Sequence, residues 1–227
     1  MTGLTMLIIA SVAFVGTHFL MSHPLRKGMV DTLGERGHAI TYTIVSFLTL
    51  GWMIWAYPKA SAEAPAPLWD AGQAGWIVAT LLMWLGSVLF MGSLRRNPAF
   101  PRPGKPIEKI DDPNGVYAIT RHPMMWGFAL WGIVHMVVHP TKASLILSFA
   151  IVFLALVGAA LQDRKKEQLL GDLWRGWEAK TSFIPYGMGL KSADAFALTT
   201  GTILWLAATW AHGALGYQLA GIWAFIG

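Results

Sequence analysis

Histidines are the residues of this 227-residue sequence with most capacity for chemistry, because seven are present and cysteine is absent. Without cysteine, the chain cannot form disulfides, iron–sulfur clusters or the thioether links of c-type haem. The stretch ITRHPMMWG, residues 119–127, places Arg121 and His122 directly before an apolar run. Proline is favoured in the first turn of a helix and disfavours helical geometry in the residue before it. His122 is therefore predicted to be the N-cap of a helix.

The predicted position of His122 is compatible with three roles. The positive end of the helix dipole and the adjacent Arg121 both favour a neutral ring, which is the form that binds metals. The free amides of the helix start, together with Arg121, also suit a carboxylate, a propionate or a phosphate. A purely structural role, as a basic helix start at the membrane border, is the third alternative.

Composition indicates that these residues lie in an integral membrane protein. Hydrophobic residues make up 55% of the chain and charged residues 13%, and the mean hydropathy is +0.49. This is too apolar for an ordinary soluble domain. The net charge of +5 does not indicate nucleic-acid binding, because membrane proteins gather Lys and Arg on one side for topological reasons.

Six apolar runs are long enough, or nearly so, to cross the roughly 30 Å hydrocarbon core of a bilayer. They occupy residues 4–21, 38–57, 74–94, 123–138, 144–162 and 196–226. The fourth run is short, and the sixth has room for a span plus an interfacial piece, so five to seven spans are possible. The first run has no basic residue before it and no small-residue cleavage site after it, so we expect a retained span. The predicted fold is an all-α polytopic transmembrane bundle that forms one domain, residues 1–227.

The basic residues predict the orientation of this bundle. Of the 17 Lys and Arg residues, 15 lie in the segments after the first, third and fifth runs, and two lie in the segments between them. The positive-inside rule then predicts cytoplasmic basic segments and periplasmic termini in a bacterial inner membrane. Two basic segments exceed the length of a plain connection. Residues 95–121 are rich in Pro and Gly and predict a long cytoplasmic loop, whereas residues 163–181 have the pattern of an interfacial amphipathic helix.

This orientation sorts the histidines by depth. His18 and His122 fall near the cytoplasmic side, whereas His135 lies 13 residues after His122, about 20 Å along a helix. His212 shares the outer depth of His135. Histidine within a bilayer is costly unless it is satisfied, so these four are functional candidates, although any of them could simply donate to a helix carbonyl.

Three ordered motifs carry a resemblance to a known family. They are HFLMSHPLRKGMVDTLGERGHAITYTIVSF at residues 18–47, GVYAITRHPMMWGFALWGIVH at 115–135 and DRKKEQLLGDLWRGWEAKTSFIP at 163–185. Together they resemble the NnrU family, which includes bacterial proteins linked to nitric oxide and denitrification and the plant 15-cis-zeta-carotene isomerase. The resemblance covers nearly the whole chain.

Similarity to the isomerase implies a haem b held by histidines. Carried over to this chain, the ligands would be His18 and His122, with His135 and His212 as a second pair. Arg121 and basic groups such as Arg26 or Arg164 would pair with the haem propionates. The function implied is redox-linked chemistry on a small or lipophilic substrate, either cis–trans isomerisation or a role linked to nitric oxide and denitrification.

More distantly, the chain resembles membrane methyltransferases of the isoprenylcysteine and phospholipid type, which bind S-adenosylmethionine. The residues at or close to matching positions are Tyr117, Arg121, His122, Pro123, Gly127, Glu167, Gly171, Trp174 and Trp177. The family's pair of glutamates is broken here, because Lys166 precedes Glu167. Two alternatives to the haem protein therefore remain: methyl transfer to a lipid or isoprenoid, and a non-enzymatic membrane accessory protein. The sequence favours an enzyme over the accessory role.

Overall fold

The protein is represented by a computed structural model that describes residues 1–95 and 109–226. This described part is built from α-helices and contains no β-strand. The helices are α1 (Gly3–Ser22), α2 (Arg26–Glu63), α3 (Gly72–Ser93), α4 (Val116–Ile119), α5 (Pro123–Val138), α6 (Lys142–Leu170), α7 (Asp172–Glu178), α8 (Ala195–Ala214) and α9 (Trp223–Ile226).

The long helices coincide with the apolar runs of the sequence. Among the described helices, α1, α2, α3 and α6 are long and apolar enough to cross a membrane, and α5 is a shorter apolar helix of 16 residues. The last run is divided, because α8 ends at Ala214 and α9 begins at Trp223. The predicted all-α, multi-pass membrane bundle is confirmed.

The helices pack in a continuous series around two cores. One core lies where α1, α2 and α6 meet and includes Leu7, Phe14 and Met53. In the other, α3 packs against both α5 and α8, with α4 and α7 covering one end. Helix α6 also packs against α5 and so joins the two cores.

Small residues set the close approach of α3 and α8. A Cβ atom added to Gly201 would lie 2.5 Å from the Cα of Val88, and one added to Gly92 would lie 2.8 Å from the Cβ of Ala197. Both separations are shorter than carbon atoms tolerate, so a larger side chain would force the helices apart. Such small-residue contacts are typical of helix pairs in membranes.

The segment predicted as one amphipathic helix is helical but divided. Helix α6 continues to Leu170, and Gly171, with a φ of +53°, ends it and turns the chain into α7. Trp174 and Trp177 of α7 are buried in the second core, whereas an interfacial amphipathic helix over residues 163–181 would turn its apolar side chains to the membrane. Of the predicted loop 95–121, residues 96–108 lie outside the described part of the chain.

Candidate functional site

His122 is the N-cap of α5, with Pro123 in the first turn, as the sequence predicted. Its side chain is only 1% exposed, and its Nε2 lies 2.8 Å from Oδ1 of Asp163 on α6. A carboxylate only accepts hydrogen bonds, so Nε2 carries the hydrogen. Nδ1 is then the ring nitrogen left for any metal.

Arg121 binds the second oxygen of the same carboxylate. Its Nε and Nη2 each lie 2.8 Å from Oδ2 of Asp163, and Nη2 lies 3.6 Å from Oε1 of Glu178. The guanidinium also donates to the carbonyl of Thr181 at 3.3 Å and lies 5.6 Å from the centre of the Phe183 ring. The network of Arg121, His122, Asp163 and Glu178, called here the ion network, therefore neutralises the arginine that was predicted to anchor an anion.

Backbone contacts fix the segment after α7 against the start of α5. Phe183 O accepts hydrogen bonds from Thr120 Oγ1 and from Trp126 Nε1, both at 2.7 Å. The Arg121 amide donates to Ser182 O at 2.9 Å. These contacts hold α5, α6 and residues 181–183 together, so the ion network acts as a brace between them.

Glu178, the second carboxylate of the ion network, has a raised pKa. Burial raises the pKa of Glu178, and a hydrogen bond with Glu167 and the charge of Asp163 raise it further, against the opposing effect of Arg121. Two carboxylates that share a hydrogen bond retain a proton more readily than either does alone. Glu167, the residue that matches the methyltransferase pattern, therefore lies beside the ion network.

The other predicted cofactor residues are dispersed. Tyr117 is buried and donates to Ser93 O at 3.1 Å, and burial raises its pKa. Arg26 pairs with both oxygens of Glu35, at 3.0 and 2.9 Å, and Arg164 is exposed. Tyr117 and Arg26 therefore have partners different from those of Arg121 in the described structure.

His18 and His122 have different hydrogen-bond partners in the described structure. Helix α6 packs against α1, which carries His18, and against α5, which His122 caps. The His18 Nδ1 donates to Phe14 O at 2.6 Å, and its ring lies 5.3 Å from that of Tyr42 on α2. The resemblance implied these two histidines as haem ligands, and this pair stays a prediction, since no ring contact joins them among the described residues.

His135 and His212, the second predicted pair, are brought together. Their ring centres lie 6.3 Å apart with 34° between the ring planes, across the space between α5 and α8. Each Nδ1 donates to the carbonyl four residues earlier in its own helix, Trp131 O and Ala208 O, at 2.7 Å. This contact places the hydrogen on Nδ1 and leaves each Nε2 as an acceptor, the form that binds a metal.

Sequence reasoning missed Asp163 and Glu178, although one signal was available. Asp163 is the first charged residue after an apolar run of about five turns, and buried acids at such positions need partners. The string of charges that follows it suggested a solvated segment. The described residues contain no cluster of three or more His, Asp or Glu side chains that could hold a metal ion.

Fold and site together define a multi-pass helical membrane protein that has an ion network at one end of α5 and a histidine pair at the other. The chain belongs to the NnrU family, whose model, described as NnrU protein, matches residues 6–219. It is also similar to the methanethiol S-methyltransferase of Pseudomonas deceptionensis, with 24% identity over 158 residues. That match covers 63% of this chain and 57% of the relative, so the chain spans little more than half of the relative's length. No solved structure matches the chain significantly.

Proposed function

We propose that this protein is a haem b protein of the membrane in which His135 and His212 are the axial ligands. The observation that carries the proposal is the approach of the two rings to 6.3 Å between centres. Imidazole binds metals at about 2 Å, and its ring centre lies about 1 Å behind the nitrogen, so two axial rings are about 6 Å apart. The observed separation of the ring centres agrees with this length, and the proposal requires in addition that the two Nε2 atoms face each other.

The number of ligands also fits haem better than a free ion. A porphyrin supplies four nitrogen ligands, so two histidines complete the coordination of its iron. A free metal ion would need further protein ligands, and none of the described residues forms a cluster of three or more with His135 and His212. The Nδ1 hydrogen bonds within α5 and α8 would orient the two rings for binding.

This assignment separates the iron from the arginines that were expected to bind propionates. Arg121 lies next to the start of α5, and His135 lies in its last turn, about 20 Å away. The ion network is therefore a structural brace in this proposal. When bound, haem would supply redox chemistry, and it would act as a Lewis acid only after one of the two histidines had left the iron. A substrate that reaches the space between α5 and α8 from the bilayer is small or lipophilic. Both cis–trans isomerisation and nitric-oxide-linked chemistry meet this condition.

An absorption spectrum of the purified protein, expressed with haem supply, tests the proposal. The wild type is expected to show a Soret band and sharp bands on reduction, and His135→Ala and His212→Ala are expected to lose them. His18→Ala and His122→Ala are the controls, because they remove the competing pair. Loss of haem in the controls, with retention in the first two variants, would reverse the ligand assignment. A featureless wild-type spectrum would remove the haem function altogether.

S-adenosylmethionine-dependent methyl transfer to a thiol or lipid is the second candidate, and the similarity to the methanethiol S-methyltransferase favours it. Here the reactive region would lie beside the ion network, where Arg121 and the Glu167–Glu178 pair meet. Transfer of a labelled methyl group to methanethiol or to extracted lipid tests this function. Activity that requires Glu167 and Arg121, in protein without a Soret band, would support it over the haem function.

A further inference from the structure

Two buried polar groups without a partner lie on the helices α3 and α8. Trp205 on α8 is 8% exposed, and its indole Nε1 has no hydrogen-bond partner among the described residues. The same holds for Oγ1 of Thr80 on α3, an atom that is buried although the rest of its side chain is partly exposed. Buried polar groups are rarely left unpaired, because losing water without gaining a partner is costly. An acceptor from another molecule would remove this cost.

A hydrogen bond between α3 and α8 fixes where these two groups lie. The indole Nε1 of Trp84 donates to Oγ1 of Thr202 at 2.9 Å, and the close contacts of the two helices show that they run in opposite directions. Thr80 comes one turn before Trp84, and Trp205 comes one turn after Thr202, so both lie beyond this bond on the facing sides of their helices. His212 follows Trp205 by two further turns on the same side of α8, about 10 Å along its axis.

Thr80 is also level with the other histidine of the pair. Helices α3 and α5 run in opposite directions, and a Cβ atom added to Gly86 would lie 3.3 Å from the Cβ of Leu130. From this contact, Thr80 is six residues along α3 and His135 is five residues along α5, which is about 9 Å and about 7.5 Å in the same direction. The two unpaired groups and the two histidines therefore lie in the same half of the unit that α3, α5 and α8 form.

The packing leaves space in this half of the unit. Helices α5 and α8 each pack along α3 but have almost no backbone contact with each other. The rings of His135 and His212 reach across the space between them. A molecule bound between the two rings would therefore have α3 on one side, with Thr80 at its level and Trp205 deeper along α8.

The proposed haem leaves one requirement unmet in this space. Haem b carries two propionate groups, and a carboxylate inside a bilayer needs hydrogen-bond donors. Arg121 is about 20 Å from His135 and is already paired with Asp163. Lys142, the described cation nearest to His135 along the chain, is exposed. The buried donors without acceptors and the acceptor without donors thus belong to the same half of the unit.

We propose that Trp205 Nε1 and Thr80 Oγ1, called here the propionate donors, donate hydrogen bonds to one propionate of the haem. This inference rests on the proposed function. A propionate has two oxygen atoms, so each donor can bind one of them. Neutral donors suit this position, because an additional cation within the bilayer would itself need a partner. Hydrogen bonds to a charged acceptor are stronger than those between neutral groups, so the propionate donors increase the affinity for haem.

Titration of protein expressed without haem supply tests the inference, with the Soret band as the readout. Haem b and its dimethyl ester, in which both propionates are esterified, are added separately to each protein in detergent. Trp205→Phe removes the indole N–H and keeps an aromatic ring, and Thr80→Val removes the hydroxyl at nearly the same size. Trp210→Phe is the matched control, because Trp210 lies on the same helix and is 60% exposed. Lys142→Met removes the competing cation.

The wild type is expected to bind haem b about tenfold more tightly than the ester, because esterification removes the charge of the acceptor. Trp205→Phe and Thr80→Val are each expected to lose about tenfold in affinity for haem b and less for the ester, so the preference for haem b falls. Thr80→Ser retains the hydroxyl and is expected to restore the preference. Trp210→Phe and Lys142→Met are expected to keep it.

Three results would overturn the inference. The first is a wild type that binds haem b and the ester equally, and the second is a loss of affinity in Trp205→Phe and Thr80→Val that is the same for both compounds, as a purely structural role predicts. The third is loss of the preference in Lys142→Met alone, which would assign the propionate to that lysine. Each of these leaves the histidine ligands in place. A wild type that binds neither compound would instead remove the haem function together with this inference.

Discussion

Asp163 Oδ1 and His122 Nε2 lie 2.8 Å apart, and this hydrogen bond joins α6 to the start of α5. The bond engages the histidine that the sequence placed first among the metal ligands. His135, in the last turn of the same helix, instead faces His212 and has its Nε2 available. Helix α5 thus has a histidine bound to a carboxylate at one end and a histidine that faces a second imidazole at the other.

Replacement of Asp163 tests the ion network as a brace. Asp163→Asn keeps the shape of the side chain but removes the charge that balances Arg121 and His122. Removing one partner from a buried ion pair is expected to cost about 3 kcal/mol in the free energy of unfolding. Chemical denaturation in mild detergent measures this loss. Asp172→Asn is the control, because that side chain is 96% exposed, and its expected effect is below about 1 kcal/mol. Equal stability of the two variants would contradict the structural role.

Glu178 provides a prediction on pH. Because its pKa is raised in the folded protein, the protonated form favours folding, and this contribution is lost as the pH rises through the raised pKa. Glu178→Gln cannot ionise, so its Tm relative to the wild type is expected to increase as the pH rises above 4.5, the ordinary pKa of a glutamate. Thermal scans from this pH upward measure the change. The Tm difference between Asp172→Asn and the wild type should stay flat, and a flat difference for Glu178→Gln as well would refute the raised pKa.

A change of ligand type distinguishes the two histidine pairs more sharply than removal does. Met in place of one axial His keeps a six-coordinate haem and raises its reduction potential. His212→Met is therefore expected to retain haem with altered reduced bands and a higher potential, measured by spectroelectrochemical titration. His122→Met, the matched substitution in the ion network, is expected to leave the potential unchanged. A shift in His122→Met alone would assign the iron to the ion network end of α5.

The sequence predicts where the helices lie along the chain better than it predicts which helices pack against each other. The run 123–138 and its His122 N-cap match the structure, because proline and the apolar composition act locally. Depth along a helix is also local, so the shared level of His135 and His212 could be inferred. Their contact could not, because a helix that is apolar on all sides does not indicate which side meets a neighbour.

Two parts of the site depended on long-range packing. Asp163 precedes a run of charges, so the sequence alone did not separate it from a solvated segment. Its partners Arg121 and His122 lie directly before α5, 42 and 41 residues away along the chain. The buried positions of Trp174 and Trp177 follow from the turn at Gly171, which directs α7 back onto the second core. Their spacing was compatible with a membrane interface as well.

The predicted orientation can be tested with single cysteines, because the natural chain has none. Lys27→Cys and Lys180→Cys mark the basic end, and Lys142→Cys marks the start of α6. In intact spheroplasts, a membrane-impermeant maleimide is expected to label Lys142→Cys, and to label the other two only after permeabilisation. The opposite pattern would place the basic segments outside.

The label at Lys142→Cys also decides whether α5 crosses the membrane. Its 16 residues extend about 24 Å, less than the roughly 30 Å of the hydrocarbon core. The ion network at its start and the histidine pair near its end can face opposite sides only if local thinning or polar flanking residues make up the difference. If Lys142→Cys were instead labelled only after permeabilisation, as is expected for Lys27→Cys, α5 would not cross the membrane. His135 and His212 would then lie within the bilayer on the basic side. The later basic segment would be cytoplasmic, as the positive-inside rule requires, only if the chain had another membrane span.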